Sequence, residues 1–369
     1  MSFSTQYYET LEFIKNKFND YSKTLEEAKH IMDDEMPISI PNNHIVNEVK
    51  LHKRYRIKSK EYLEDVVDEK WKYFDDDGSN NLGKVKVTGR VALHLFGGGY
   101  FAGSSKIARN HTFSIAEKAE CHVFSIDYHL VPKHQFSAQL CNDLAAYFYL
   151  TNPGPEAGFE QIDPKSIVFV RTSAGGGLAV GTALFLRDAG LPLPSEIALI
   201  IKQKKPKVVG HPSFTKIPRI RLLCANEALA IPYISPKLAE SLGNLPPISV
   251  LSIQVPKYAT EKFANSPFKK SPQKSHTKSM MTFVPTEKIT QFSLNRAYDF
   301  IKLHAAVNVN IPNGSENNDT YENGKTLNAV AIYPNFEVRE LDGKYLECLK
   351  FENVGVLPDV NEPDYVNNV

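Results

Sequence analysis

Residues 168–179, VFVRTSAGGGLA, contain the transition that decides the fold. A short apolar run ends abruptly before Ser173, and small residues then open a helical pattern. This order is typical of a strand that turns sharply into a helix and holds a serine hydroxyl at the end of a sheet. Small residues after the serine allow the helix to pack closely behind the strand. The usual spelling of such a nucleophile turn is G-x-S-x-G. Ser173 and Gly175 match it, whereas Arg171 stands in place of the first glycine.

Strand and helix patterns alternate on both sides of this turn. The predicted strands lie at 85–96, 121–126, 167–170, 196–201, 245–254 and 280–284, and the predicted helices at 107–119, 140–150, 178–186 and 292–305. Alternation of this kind predicts an α/β fold with a mostly parallel sheet and helices on both faces. Such sheets bind ligands at the carboxyl ends of their strands, where Ser173 and the glycines at 97–99 are both placed.

Three parts of the chain are predicted from these patterns. Residues 1–80 form an N-terminal helical cap, with helical spacing near 7–18 and 25–32. Residues 81–306 form the α/β core. Residues 307–369 are rich in asparagine and acidic residues, and we expect an irregular C-terminal extension there, with hairpin turns and no assigned function.

The composition of the 369 residues excludes few classes of protein but favours an ordinary globular one. Apolar residues make up 42% and charged residues 23%, and the net charge of +1 gives no reason to expect nucleic acid or an anionic membrane as a partner. The four cysteines have no C-x-x-C spacing, so neither a disulfide framework nor a metal site is predicted, and no cofactor is expected. Without a signal peptide or a membrane-length apolar run, the chain is predicted to be cytoplasmic.

Two further motifs accompany the serine turn. The first is LFGGGY at 95–100, in which three glycines after a strand expose backbone N–H groups suited to a developing oxyanion or to a phosphate. The second is DYHLVPKHQF at 127–136, followed by Asp143 in the next helix. His129 and His134, inside the second motif, are interpreted as packing and hydrogen-bonding residues of a structural turn.

Taken together, these motifs resemble the hormone-sensitive-lipase branch of the α/β-hydrolases, particularly its fungal esterase-like and deacetylase-like members. The resemblance covers residues 91–194 and resumes at 226–247 and 281–304. It implies the α/β-hydrolase fold and hydrolysis of small acyl or acetyl esters, with Ser173 as the nucleophile, a histidine as its base and an acid that orients the histidine. It also implies that the N–H groups of Gly98, Gly99 and Ala174 hold the oxyanion.

The sequence departs from the family pattern at the other triad positions. Gln254 stands where the acid is expected, and residues 285–291, where the histidine is expected, contain none. A glutamine can accept a hydrogen bond but cannot stabilise an imidazolium by charge. Phe96 replaces the histidine before the triple glycine, which removes a polar side chain that would brace the loop. The resemblance therefore implies a degenerate triad, for which the remaining candidate bases are His211, His276 and His304.

The same residues allow two other interpretations. The chain could be a catalytically inactive relative that binds a small ester, a hydrophobic ligand or a partner, with Ser173 merely a small residue tolerated in a tight turn. More remotely, Gly97, Gly99 and Ala102 could be a dinucleotide fingerprint with Asp127 as the ribose-binding acid. That interpretation leaves the serine turn unexplained.

Overall fold

A computed structural model describes residues 29–30, 33, 42–66, 89–201, 231–252, 288–305, 330–332 and 338–340. The helices are α1 (Lys53–Val66), α2 (Arg109–Lys118), α3 (Ala138–Thr151), α4 (Ala174–Asp188) and α5 (Lys288–His304). The strands are β1 (Val91–Leu95), β2 (His122–Ser125), β3 (Ile167–Thr172), β4 (Glu196–Ile201), β5 (Ile248–Ser252), β6 (Val330–Ile332) and β7 (Val338–Glu340).

Five of these strands form one parallel sheet in the order β2-β1-β3-β4-β5. The strand order reverses between β1 and β3, because β2 lies on one side of β1 and β3 with its successors lies on the other. In sheets of this order, the crevice at the carboxyl ends of the two strands flanking the reversal is the usual ligand site. The glycine loop follows β1 and Ser173 follows β3, so the fold places both motifs at this crevice.

Helices cover both faces of the sheet, as the alternation predicted. The larger core lies on the face of α3 and α4, where Leu93, Phe169 and Leu184 are fully buried. The smaller core lies on the opposite face, where Ile115 of α2 packs with Ile301 of α5. Side chains of β3 alternate between the two cores, because successive strand residues point to opposite faces. A strand buried on both faces is apolar throughout, which explains the continuous run IVFV at 167–170.

Helix α1 lies in the predicted N-terminal cap and packs on the outer side of α3. Tyr55 meets Tyr149 edge to face at 5.3 Å between ring centroids, and Tyr62 meets Phe148 at 5.4 Å. Of the predicted helix near 25–32, residues 29 and 30 are helical, as is Asp33, whereas the helix near 7–18 lies outside the described residues. The division of the chain at residues 80 and 306 stays a prediction.

Within the described residues of the predicted C-terminal extension, β6 and β7 form an antiparallel strand pair. No helix in the described ranges has both the length and the apolar character that crossing a membrane requires. The strand predicted at 280–284 lies outside the described residues.

Arg90 ties the two helices of the smaller core together at the amino end of β1. Its guanidinium donates to the carbonyl oxygens of Ala305 at 3.0 Å, Ala119 at 3.2 Å and Lys302 at 3.2 Å, next to the C-terminal ends of α5 and α2. A cation near helix C-termini is favourable because the last carbonyls are unsatisfied within the helix and carry partial negative charge. This contact lies at the end of the sheet opposite to Ser173.

Glu196 is buried at the start of β4, on the face of the smaller core, and we predict that it makes stability depend on pH. Burial raises its pKa from an ordinary 4.5 to about 9, and nearby Arg90 opposes this shift. Between these values the folded protein holds a proton that the unfolded chain has released, so stability is greatest below this window and falls as pH rises through it. Glu196→Gln should therefore raise the free energy of unfolding at about pH 8 by about 2 kcal/mol and have little effect near pH 4.5. Urea unfolding at both pH values measures the difference, and an equal pH dependence in the variant and the wild type would contradict the prediction.

Candidate functional site at the carboxyl ends of β1 and β3

Ser173 occupies a strained turn between β3 and α4. Its backbone has φ 52° and ψ −114°, a conformation that residues other than glycine rarely adopt. The residue caps α4, and its carbonyl oxygen accepts a hydrogen bond from the Gly176 N–H at 2.8 Å. Ala174 is the first residue of the helix, so its N–H has no acceptor within the helix and faces the same end of the sheet. The sharp strand-to-helix turn predicted from the sequence is therefore present.

Gly175 brings the start of α4 against the end of β1. A Cβ atom at this position would lie 2.7 Å from the Leu95 carbonyl oxygen and 3.0 Å from that of Phe96. Both neighbours are backbone atoms of the segment that leads into the glycine loop, so neither can rotate away. The glycine thus fixes the serine turn directly beside that loop.

The glycine loop after β1 has a shape that ordinary residues cannot adopt. Gly98 and Gly99 have φ values of +143° and +63°, and a Cβ on Gly98 would lie 1.8 Å from the Ala102 carbonyl oxygen. The Gly98 carbonyl accepts hydrogen bonds from the N–H groups of Phe101 and Ala102, both at 3.2 Å. Because the Gly98 carbonyl is bound in this tight turn, the loop keeps a fixed backbone conformation.

Phe96 braces the loop by packing, although a phenylalanine in place of the expected histidine removes a polar side chain. Its ring is 4% exposed and stacks on Tyr128 at 4.5 Å between centroids. The Tyr128 hydroxyl donates to the Phe96 carbonyl oxygen at 2.9 Å, in a site whose burial raises the pKa of that hydroxyl. On the other side of the loop, the Asp33 carboxylate accepts a hydrogen bond from the Gly103 N–H at 2.7 Å. The predicted cap therefore contacts the loop directly.

Arg171, the residue that breaks the turn motif, is fully buried and paired. Its Nη2 lies 2.8 Å from Oδ1 of Asp143 on α3, and both side chains are 0% exposed. Its Nη1 donates to the Leu93 carbonyl oxygen of β1, and the guanidinium lies 4.6 Å from the centre of the Phe169 ring. The second carboxylate oxygen of Asp143 accepts from the Thr182 hydroxyl of α4 at 2.7 Å. A long cationic side chain thus fits behind the turn because an acid and a carbonyl meet it there.

Burial acts on both members of this pair. It lowers the pKa of Arg171 to about 10, and the neighbouring Asp143 opposes that shift. It raises the pKa of the Asp143 carboxyl, which Arg171 and the Thr182 hydroxyl lower in turn. The charged forms are stable in this apolar place only together, because an unpaired buried charge is strongly unfavourable.

The remaining residues named from the sequence are placed as follows. Gln254, His211, His276 and the segment 285–291 lie outside the described residues, and His304 is the last residue of α5. The rings of His129 and His134 contact each other at 4.2 Å, and Gln139 donates to both of their carbonyl oxygens at 2.9 Å. Both histidines thus belong to the turn that joins β2 to α3.

Asp127, the acid that the dinucleotide interpretation assigns to a ribose, makes hydrogen bonds within the protein instead. Its two carboxylate oxygens accept hydrogen bonds from the backbone N–H and the hydroxyl of Ser105, at 2.6 Å and 2.8 Å. The carboxylate anchors the segment that follows the glycine loop. This contact and the serine turn give the dinucleotide interpretation no support.

The arrangement combines a strained serine with backbone donors at one end of the sheet, which suits acyl transfer. Sequence reasoning missed the pair of Arg171 and Asp143 behind it. A signal was present, because Asp143 is the one acidic residue in the apolar stretch 138–151, and a buried arginine needs an acid.

Comparisons with known proteins agree with this geometry. Residues 92–255 match the model of the family described as alpha/beta hydrolase fold. An acetyl-hydrolase of Streptomyces hygroscopicus is 34% identical over 116 residues, 31% of this chain and 36% of the relative. An arylesterase of Saccharolobus solfataricus is 26% identical over 176 residues, 44% of this chain and 56% of the relative. The matched regions thus span about a third to just over half of these relatives.

Solved structures of esterases share the fold. An esterase from the bacterial hormone-sensitive lipase (HSL) family superposes with a TM-score of 0.53 at 20% identity, covering 83% of this chain and 100% of that chain. A mutant form of the esterase E40 gives 0.54 at 20% identity, with 82% of this chain and 100% of that chain covered. Identity at this level shows the fold alone. The chain therefore has the α/β-hydrolase fold, and the curated proteins it is similar to include an acetyl-hydrolase and an arylesterase.

Proposed function

We propose that this chain is a serine-dependent carboxylic ester hydrolase of the hormone-sensitive-lipase-like branch, acting on small acyl or acetyl esters. The observation that carries the proposal is the strained Ser173 turn, with φ 52° and ψ −114°, beside the glycine loop at the strand-order reversal. Relatives named acetyl-hydrolase and arylesterase support the reaction class. The fungal affinity of the chain and its cytoplasmic location stay predictions from the sequence.

In the proposed reaction, the Ser173 hydroxyl oxygen attacks the ester carbonyl carbon as its proton passes to a base. The N–H groups of Gly98, Gly99 and Ala174 stabilise the negative charge that develops on the carbonyl oxygen. Expulsion of the alcohol leaves an acyl group on Ser173, and water then releases the acid. The donors are backbone groups, so they depend on the shape of the loop and turn rather than on side-chain identity.

The degenerate triad sets the expected rate. In a serine hydrolase, loss of the base lowers turnover on the order of a million-fold, while the oxyanion donors and binding retain about a thousand-fold over water. With Gln254 at the acid position and no histidine at 285–291, slow turnover follows unless His211, His276 or His304 supplies the base. The two departures from the triad favour one alternative. In it, the chain binds small esters or hydrophobic ligands without hydrolysing them.

Hydrolysis of p-nitrophenyl acetate tests the proposal. The wild type should release nitrophenol faster than Ser173→Ala, and the matched variant Ser195→Ala should keep the wild-type rate, because the Ser195 hydroxyl donates to the Ile167 carbonyl oxygen at the opposite end of the sheet. Equal rates for the wild type and Ser173→Ala would reject serine-dependent hydrolysis. Retained binding of the ester in that case would favour the binding protein.

A further inference from the structure

We infer that Arg171 and Asp143 are positioning residues that hold the Ser173 turn and the glycine loop in register with each other. This inference rests on the proposed function of Ser173. It assigns a role to an arginine that stands where the nucleophile motif has glycine, and to an aspartate that the motif does not include.

The pair joins the backbone segments that must be aligned. Arg171 lies two residues before Ser173, and its Nη1 donates to the Leu93 carbonyl oxygen, four residues before Gly97. The two strands are neighbours in register, with Leu95 opposite Arg171. The guanidinium therefore links the carboxyl end of β3 to β1, the strand that leads into the glycine loop.

Asp143 extends this link to the helix that supplies the third proposed oxyanion donor. Its Oδ1 binds Arg171 at 2.8 Å, and its Oδ2 binds the Thr182 hydroxyl at 2.7 Å. Thr182 belongs to α4, whose first residue is Ala174. The Asp143 carboxylate thus connects β3 to α4. Ser173, with its strained backbone, lies between these two elements.

Full burial explains how this network can act on geometry. Arg171, Asp143 and Thr182 are each 0% exposed, so water does not compete for their hydrogen bonds. A planar guanidinium with two fixed contacts restricts both translation and rotation of the strand end, which a glycine at position 171 could not do. Reactivity at Ser173 is sensitive to such restraint, because a displacement of about 1 Å can lower a rate about a hundred-fold.

An apolar replacement of both residues separates positioning from stability. Single variants leave a buried charge unpaired, whereas Arg171→Met combined with Asp143→Leu removes both charges at similar volume. We expect the double variant to keep its thermal midpoint within about 5 °C of the wild type. Its rate of covalent labelling at Ser173 by a fluorophosphonate, which reacts with activated serines, should fall at least about tenfold. Arg90→Met is the control: it should lower the thermal midpoint through the opposite end of the sheet and leave the labelling rate unchanged.

Hydrogen–deuterium exchange gives a readout that does not depend on activity. Peptides covering 96–103 and 173–177 should exchange at least about tenfold faster in the double variant, while α2 on the other face keeps the wild-type rate. Unchanged exchange in both peptides would overturn the inference, whatever the labelling rate. Labelling that falls only in proportion to global unfolding, or that stays at the wild-type rate in an active protein, would also overturn it. A wild type that is not labelled at all would reject the proposed function, while the exchange measurement still decides the inference.

Discussion

Asp143→Asn is expected to lower the free energy of unfolding by about 3–5 kcal/mol. The change keeps the shape of the side chain but removes the charge that faces Arg171 at 2.8 Å in a fully buried site. Arg171 would then be a buried cation without a counter-charge, because the amide oxygen at position 143, the Leu93 carbonyl and the Phe169 ring carry no formal charge. Urea unfolding at neutral pH measures the loss.

Asp127→Asn is the matched control for this experiment. Asp127 also accepts two hydrogen bonds, both from Ser105, but it is exposed, so the same substitution should cost no more than about 1 kcal/mol. If Asp143→Asn were as mild as the control, Arg171 and Asp143 would not form the buried ion pair described above. Recovery of stability in the double variant Arg171→Met with Asp143→Leu would show that the loss comes from the unpaired charge rather than from the site itself.

Gly98→Ala is expected to reduce fluorophosphonate labelling of Ser173 about a hundred-fold, the effect of removing one oxyanion donor. A Cβ at this position would lie 1.8 Å from the Ala102 carbonyl oxygen, so the loop must change its backbone. The φ of +143° is also one that alanine rarely adopts. The three glycines of the loop follow β1 and none of them is buried, so the sheet itself should stay folded, which circular dichroism checks.

Gly190→Ala is the control for this variant, because it adds a Cβ at a positive φ without a steric clash. Gly190 has a φ of +64°, but a Cβ there would have no atom within 4 Å, and it follows the far end of α4. This variant also places a Cβ at a positive φ, but without any effect on the loop, so its labelling rate should stay within about twofold of the wild type. A Gly98→Ala protein labelled at the wild-type rate would show that the Gly98 N–H does not stabilise the charge at Ser173.

The fold was predictable because the buried strands and the helices differ in the pattern of their apolar residues. Strand β4 was predicted at its observed residues, 196–201, and the parallel sheet followed from the alternation of elements. The start of α4 was missed by four residues, because the three glycines at 175–177 favour a turn in isolation, whereas in the fold Gly175 is required for close contact with β1. Helix α1 was not resolved as a separate element within the predicted cap, because its aromatic residues gain their burial from α3.

The site was predictable only where its chemistry is local in sequence. The strained serine and the glycine loop are contiguous motifs, so their shape could be read directly. Arg171 could be recognised as unusual, but its partner lies 28 residues earlier, and only the crossover from β2 through α3 to β3 brings the two together. The bracing of the loop by Phe96 and Tyr128 is likewise a contact across 32 residues. Long-range pairs of this kind need the topology before they can be assigned.

Mass spectrometry of the protein after incubation with a fluorophosphonate tests the central claim most directly. The account predicts one adduct, located on Ser173 in the peptide that spans the β3–α4 turn, and its loss in Ser173→Ala. Under the proposed function, labelling should be slow relative to a complete triad, because the resemblance assigns the acid to Gln254 and the base to segment 285–291, which contains no histidine. The absence of any adduct on Ser173, or an adduct that persists in Ser173→Ala, would contradict the claim that Ser173 is a nucleophile.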